Sequence, residues 1–527
     1  MSKLKVRNFG PIKQGMSNDE WIDFSQVTVF IGNQGTGKST IVKLYAAFGW
    51  LEKKLIRNYT TIDEILNESN PDYSLTKRLE YFNLTSYLDD DSYIEYKSSY
   101  YHFVIENKKF KAITELSPSH FAITTKIAYI PAERNFITAI ESSMRMTQLP
   151  PPLSRFQAEY FNGLEELTEK ESLQLDIDDL SIKYENQLTK IINNKKQFTI
   201  KMHEASSGIQ SLAPILIHSQ YNSQHILHNI SNASKINLEY FQNDAYNYSV
   251  EAENVFKKLL GEKLLPERKK FEDTQAKLSL INVTYIPKRV SENPEFQDTI
   301  QKIISLIGIS DTFKEPYNNI DDLKQIFSEI NNKNTNDYKK IAERVERFEI
   351  FKFFDFTLTN IIEELEQNLF PESLKKILYK LLAQINEIHA NYDNESDEYD
   401  RFKYEIGKLI LTTHSPYMIS YLTLIAKAGN TLKEIKETNM NVEEVGLAKQ
   451  KINSIIPINA LITGDKMKIY HLDDGGISLL ENYKDMPSDE NYLNLEIKKI
   501  NTDYKKLMQI RSSYYIEPDQ TEMEEML

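Results

Sequence analysis

A glycine-rich loop between two apolar segments constrains the fold of this chain more than any other feature. Residues 27–31 are rich in β-branched side chains, as a buried strand is, and residues 40–51 carry mostly apolar side chains, as a buried helix does. The residues between them read Gly-Asn-Gln-Gly-Thr-Gly-Lys-Ser, which fits the pattern G-x-x-x-x-G-K-[ST]. A strand, a glycine loop and a helix in this order predict an α/β domain with a phosphate-binding loop.

The chemistry of polyphosphate binding explains the residue types in this loop. Glycines let backbone N–H groups surround an anion, and the N-terminus of the following helix adds a favourable dipole. We expect Lys38 to reach the β- and γ-phosphates and the Ser39 hydroxyl to ligate Mg²⁺. An incidental Gly-Lys-Ser in a glycine turn, the competing interpretation, would not explain the flanking strand and helix. The predicted nucleotide-binding residues are Gly32, Asn33, Gln34, Gly35, Thr36, Gly37, Lys38, Ser39 and Thr40.

Two carboxylates follow another apolar segment late in the chain. Residues 356–362 are a candidate strand, and Glu363 and Glu364 come directly after it. In that position Glu363 is expected to help hold Mg²⁺, and Glu364 is expected to polarise the attacking water. The alternative is an acidic helix start, which is common.

Two further polar segments extend the predicted site. His414 ends a buried strand predicted at residues 408–413, and the carboxyl edge of an open parallel sheet is where ligands bind, so His414 is expected to sense the γ-phosphate. Ser206 and Gly208 open a predicted helix after the strand-like residues 198–202. A Ser-Gly turn at a helix start can donate hydrogen bonds to an anion, although a plain helix cap is the alternative.

The composition excludes several classes of protein. With no cysteine in 527 residues, disulfides, cysteine-ligated zinc or iron–sulfur sites and thiol nucleophiles are excluded. A net charge of −14 argues against a surface that binds nucleic acid all over, but it leaves a local basic channel open. No apolar run approaches the length that spans a bilayer, and we therefore expect a cytoplasmic protein.

The chain is predicted to consist of a head interrupted by large insertions. The spacing of apolar residues favours helices in both insertions, and no sustained heptad indicates a long coiled coil. The predicted divisions are a first head lobe at 1–136 with the glycine loop and a β-subdomain, a helical insertion at 137–197, a head segment at 198–222, a second helical insertion at 223–351, a second head lobe at 352–435, a hairpin and helix at 436–516, and an acidic tail at 517–527.

Together these motifs resemble the ATPase head of the ABC superfamily, in its SMC-like and overcoming-lysogenisation branch. The resemblance implies an α/β fold: an ABC-type P-loop head with an antiparallel β-subdomain, which binds ATP and Mg²⁺, hydrolyses ATP and dimerises head to head. The matching segments are residues 32–39 for Walker A, Glu363 and Glu364 for Walker B and the catalytic glutamate, His414 for the switch histidine, residues 206–208 for the signature, and residues 129–134 for the Q-loop strand, with Ala132 at the glutamine position.

Within that branch, the overall pattern looks like the PtuA ATPases of Septu-type antiphage defence, including retron-associated forms. This resemblance implies a regulatory subunit that controls a separate HNH nuclease through nucleotide-dependent dimerisation of its heads. Retron-associated forms add a reverse transcriptase with its RNA and single-stranded DNA. An SMC-like DNA-repair or overcoming-lysogenisation-type ATPase and a non-hydrolysing ATP-bound scaffold are the alternatives. The first of these would be supported by a nuclease carboxylate cluster beyond residue 436, which the sequence lacks.

Overall fold

The computed structural model describes residues 2–234 and 355–480, together with 502 and 505–506. Shorter gaps fall at 58, 117–123, 140–148, 170, 176–178, 394–406 and 439–441. Most of the insertion predicted at 223–351, most of residues 481–516 and the tail at 517–527 therefore lie outside the described residues.

A seven-stranded mixed sheet forms the centre of the described chain. Five adjacent strands of this sheet are mutually parallel, and the two remaining strands extend one edge. In spatial order the strands are β2 Gly15–Met16, β16 Gly476–Leu479, β15 Met467–Asp473, β4 Val27–Gly32, β14 Lys408–Thr413, β13 Asp355–Ile362 and β8 Thr124–Ile130.

Strand β4 explains why this sheet is covered on both faces. All of its residues are buried. Val29 and Ile31 belong to one hydrophobic core and Phe30 belongs to the other. Because successive side chains of a strand point to opposite faces, a continuous apolar run needs a packed layer on each side.

Helices supply most of these two layers. The first three helices pack on the face that Phe30 lines, and the next five pack on the opposite face. Among the described helices, none is long and apolar enough to cross a membrane. The helices are α1 Lys38–Ile56, α2 Ile62–Leu66, α3 Leu75–Tyr81, α4 Asn135–Thr138, α5 Pro151–Thr168, α6 Ser207–Ser234, α7 Pro371–Asp393, α8 Pro416–Glu437 and α9 Val442–Asn453.

An antiparallel five-stranded sheet completes the layer around α1. Buried and more exposed side chains alternate along its strands, with Ile94, Tyr96 and Phe103 buried. The architecture is therefore α/β with an antiparallel β-subdomain, as predicted. In spatial order the strands are β3 Ile22–Asp23, β1 Lys3–Phe9, β5 Leu88–Lys97, β6 Tyr101–Glu106 and β7 Lys109–Glu115.

The segment predicted as a helical insertion at 137–197 differs from that prediction. Helix α5 lies in its first half, but the second half contributes strands to a four-stranded antiparallel sheet. Asn186 and Gln187, with φ of 53° and 61°, form a two-residue turn of the kind that favours hairpins over helices. The strands are β9 Leu173–Gln174, β10 Leu180–Glu185, β11 Leu188–Asn193 and β12 Phe198–Lys201.

The hairpin predicted within residues 436–516 is present as β15 and β16. Asp474 and Gly475 form its turn, with φ of 44° and 75°. Strand β15 also pairs in parallel with β4, a contact that the local pattern did not predict. This hairpin is therefore part of the central sheet.

Candidate functional site

The glycine loop lies at the carboxyl edge of the parallel strands and leads into α1. Gly32 ends β4, and Gly37 caps the 19-residue helix with a φ of 101°, a conformation that favours glycine. A β-carbon on Gly37 would lie 2.8 Å from the Ile12 side chain. The Thr36 hydroxyl donates to the Asn33 carbonyl oxygen at 2.9 Å. The loop thus brings backbone N–H groups and a helix N-terminus to one place, which suits an anion.

Lys38 points back into this loop. Its Nζ donates to the carbonyl oxygens of Gly32 and Asn33 at 2.8 and 2.7 Å, and the residue is almost fully buried. Burial lowers the pKa of Lys38 to about 8, although the carboxylates of Glu364 and Glu366 act in the opposite direction. Below that pH the ammonium group is charged and can exchange its carbonyl partners for phosphate oxygens.

His414 and Glu364 stand beside this lysine. Nδ1 of His414 lies 3.5 Å from Lys38 Nζ, and its Nε2 lies 3.5 Å from Glu364 Oε1. The backbone N–H of Glu364 donates to the Thr412 hydroxyl at 3.0 Å. The backbone N–H of His414 donates to Glu366 Oε1 at 2.6 Å. A carboxylate and an imidazole next to the lysine can orient a water and contact a terminal phosphate.

Glu363 has a different environment. It is almost fully buried, and burial raises the pKa of its carboxyl, while Lys43 and hydrogen bonding with Tyr129 and Ser39 act against that rise. Lys43 Nζ lies 4.0 Å from Oε1, and within the described chain no donor hydrogen-bonds to that oxygen. A buried, unsatisfied carboxylate oxygen beside a serine hydroxyl fits Mg²⁺, which prefers oxygen ligands. Ser39 and Glu363 are the residues that would hold the ion.

Ser206 and Gly208 lie at the start of α6. Ser206 is exposed. A β-carbon on Gly208 would lie 3.0 Å from the Asn368 carbonyl oxygen, and Asn368 Nδ2 donates to the Ser211 hydroxyl at 3.3 Å. The predicted signature thus packs on the loop that follows Glu364 in the same chain and leaves Ser206 exposed.

Arg134 is a site residue to which sequence reasoning gave no role. Its side chain is fully buried, and it donates to the backbone oxygens of Glu363 and Glu364 at 2.7 and 2.8 Å. Burial lowers the pKa of Arg134 to about 10, and the carboxylates of Glu366, Glu364, Glu363 and Glu133 counteract that effect. In the sequence, the only indication of a role for Arg134 is its place in the segment matched to the Q-loop strand. Its contacts are to backbone oxygens, which every residue type has, and such contacts leave no pattern in a sequence.

Comparison with known proteins supports the class of fold. A family model described as an AAA ATPase domain matches residues 1–419. No curated protein matches the chain. One similar solved structure is the Smc head domain with an extended coiled coil bound to the C-terminal domain of ScpA, derived from Pyrococcus furiosus. It shows 11% identity over 97% of this chain and 100% of that chain. Its TM-score of 0.22 is too low to support an argument from the superposition.

The family match and the observed topology agree. A Walker A loop after a central strand, parallel neighbours on both sides and an antiparallel β-subdomain confirm the fold class as an ABC-type P-loop ATPase head. The family match extends over most of the chain, well beyond the glycine loop alone. The chain belongs to the AAA ATPase domain family.

Proposed function

We propose that this protein binds ATP with Mg²⁺ and hydrolyses it at the carboxyl edge of the central sheet. The supporting observation is the meeting of Lys38, Glu364 and His414, which come from three separate segments. The two ring nitrogens of His414 lie 3.5 Å from Lys38 Nζ and 3.5 Å from Glu364 Oε1. Buried Glu363 lies alongside with an unsatisfied oxygen. One positive charge, one carboxylate and one imidazole at a phosphate-binding loop match the needs of phosphoryl transfer to water.

Each residue has a separate role in this proposal. The loop N–H groups and Lys38 bind the β- and γ-phosphates. Ser39 and Glu363 hold Mg²⁺, which supplies positive charge opposite the phosphate oxygens when it is bound. Glu364 orients the attacking water and accepts its proton, and the oxygen that leaves the γ-phosphorus remains on ADP. His414 contacts the γ-phosphate and links its presence to Glu364.

The Glu364→Gln variant tests the hydrolytic role. Glutamine keeps the size and hydrogen bonding of Glu364 but removes the charge that attracts a proton, so ATP should still bind. Turnover should fall by roughly 10²–10⁴-fold, as after loss of a general base. Single-turnover phosphate release and equilibrium ATP binding measure the two properties. Glu372→Gln, at an exposed glutamate on α7, is the matched control and should keep both.

Two results would contradict this assignment. Wild-type turnover in Glu364→Gln would eliminate Glu364 as the base, and loss of ATP binding would make its role structural. The wild-type protein itself separates the ATPase from the alternative of a non-hydrolysing scaffold, because a scaffold would bind ATP without releasing phosphate.

The proposal extends to a head-to-head dimer. In this arrangement Ser206 and Gly208 of one subunit approach the γ-phosphate bound by Lys38 of the other subunit, around a two-fold axis. The exposure of Ser206 at a helix N-terminus supports it, since an exposed hydroxyl and free N–H groups suit a phosphate from outside.

A more specific proposal about the biological role rests on the resemblance of the sequence motifs to the PtuA ATPases. It makes the protein a cytoplasmic ATPase subunit of Septu-type antiphage defence that controls a separate HNH nuclease, with a reverse transcriptase and its nucleic acid in retron-associated forms. Co-expression with an HNH protein encoded beside it should give a complex and protect cells from phage. Protection should disappear in Lys38→Ala. Full protection by Lys38→Ala, or by the ATPase without any nuclease, would contradict this role.

A further inference from the structure

The loop that carries Glu364 has an unusual backbone. Glu364 has a φ of 46°, in the left-handed region that residues other than glycine seldom occupy. Such a conformation is strained and persists only where neighbouring groups hold it. The direction of the Glu364 side chain therefore depends on what fixes residues 363–365.

Arg134 holds the carbonyl groups of this loop from inside the protein, while the Thr412 hydroxyl accepts from the Glu364 N–H. Its Nη1 donates to the Glu363 carbonyl oxygen at 2.7 Å, and its Nη2 donates to that of Glu364 at 2.8 Å. The peptide groups on the two sides of Glu364 Cα are thus fixed by one planar fork. A guanidinium group suits this task because its donors have fixed directions, whereas a lysine ammonium is a point charge.

The same side chain reaches the helix that begins with the predicted signature. Arg134 Nε donates to the Ser211 carbonyl oxygen at 3.3 Å, within the second turn of α6. The 3-10 turn Ala132–Arg134, which follows β8, is therefore tied to both the catalytic loop and α6.

A purely structural role does not explain these contacts well. Removing a cation from water is costly, and well-packed apolar side chains often give equal or greater stability. Here the guanidinium group donates to backbone oxygens on both sides of one carboxylate, and among the described residues it forms no close ion pair. Charge-assisted hydrogen bonds of this kind fix geometry more strongly than neutral ones.

We propose that Arg134 is a positioning residue for ATP hydrolysis: it holds the backbone on both sides of Glu364 so that the carboxylate faces the water, and it couples that loop to α6. This inference rests on the proposed ATPase function. Without the fork, Glu364 retains its charge but loses its fixed direction, so the chemical step slows while the phosphate-binding loop is unchanged.

The experiment compares Arg134→Lys with Arg57→Lys in the full chain. Arg57 is a matched control because its guanidinium is also largely buried and bonds to Asp355 and Thr124. These two residues begin β13 and β8, whereas Glu364 and Arg134 lie beyond the other ends of the same strands. Thermal unfolding, ATP affinity and single-turnover hydrolysis are measured for both. Arg134→Lys should keep ATP affinity within about threefold and lose at least about tenfold in turnover, a moderate loss of positioning. Arg57→Lys should lose stability without losing turnover.

A second measurement shows whether Arg134 acts through Glu364. Once Glu364→Gln has removed the base, adding Arg134→Lys should reduce turnover little further, because two residues that act as a unit are not additive. Arg134→Gln, which keeps two N–H donors without a charge, is the second variant if the lysine variant does not fold.

Several results would overturn the inference. They are wild-type turnover in Arg134→Lys, an equal loss of turnover in Arg57→Lys, full additivity with Glu364→Gln, or failure of both Arg134 variants to fold. Normal turnover in Arg134→Lys alongside an inactive Glu364→Gln would remove this inference alone. Absence of hydrolysis in the wild-type protein would remove the proposed function and this inference together.

Discussion

The protonation of Lys38 controls how tightly the site can hold a phosphate chain. Burial lowers the pKa of Lys38 to about 8 in the nucleotide-free protein. Bound phosphates favour the charged form and raise that pKa, so ATP binding above pH 8 must take up a proton. Affinity should therefore be constant below about pH 8 and fall by up to about tenfold for each pH unit above it.

Calorimetric titrations with Mg-ATP from pH 7 to 9.5 measure this dependence, and buffers of different ionisation enthalpy report the proton uptake. Glu364→Gln serves as a matched variant. Since the charge of Glu364 raises the pKa of Lys38, its removal should move the fall in affinity to lower pH. An affinity that stays flat to pH 9.5 in the wild-type protein would contradict the low pKa of this lysine.

Residues differ in how far their roles could be predicted from the sequence. Lys38 is defined by fixed spacing inside one short motif, and Glu364 and His414 each follow a recognisable apolar strand. Arg134 contacts backbone oxygens of residues more than 200 positions away, and any residue type would supply those oxygens. Such a contact becomes visible only when the strands β8 and β13 are placed side by side.

At the scale of the elements, the glycine loop packs against β15, a strand more than 400 residues later in the sequence. A β-carbon on Gly32 would collide with the Leu472 carbonyl oxygen of β15, whereas one on Gly35 would meet nothing within 4 Å. Both glycines have positive φ, of 151° and 79°, so both alanine variants are strained. Gly32→Ala should lose about 1–3 kcal/mol more stability than Gly35→Ala, because backbone cannot move aside as a side chain can.

Urea denaturation of the nucleotide-free variants measures that difference, with Gly35→Ala as the control for backbone strain alone. Equal urea midpoints for the two variants would show that the close approach of β15 to Gly32 does not affect stability.

The order of elements in the head was predictable, but the sheet at residues 173–201 was not. Strand, loop and helix at residues 27–56 follow one another locally, so local periodicity is sufficient. In β10 and β11, by contrast, Ile182 and Ile191 face a core formed by distant helices, and polar residues between them weaken the alternation. Asn186 and Gln187, with positive φ, form the two-residue turn that joins these strands.

At the scale of the whole molecule, the proposed dimer makes each ATP site incomplete in a single chain. Glu364→Gln should accumulate as a dimer with Mg-ATP, because bound ATP is no longer consumed. Adding Ser206→Arg should return it to a monomer, since a long cation at the shared surface would clash with the opposite phosphate-binding loop. The control is Ser69→Arg, at another exposed serine, which lies in the first lobe and not in the predicted signature. This variant should leave the dimer intact.

Sedimentation velocity with and without Mg-ATP distinguishes these states. A dimer that persists in the Ser206→Arg double variant would place the interface elsewhere, and a Glu364→Gln monomer that binds ATP would argue against head dimerisation.

The position of β4 between β14 and β15 has a consequence for how the protein is made. Lys38 and His414 are 376 residues apart, and β15 follows later still. At a ribosomal rate of about 5–20 residues per second, roughly 20–75 s pass before the first neighbour of β4 is synthesised. During that time a strand that is buried at every position in the finished protein has no partner on either side. The topology therefore leaves an apolar strand unpaired on the nascent chain through most of its synthesis, and unpaired strands of this kind favour aggregation.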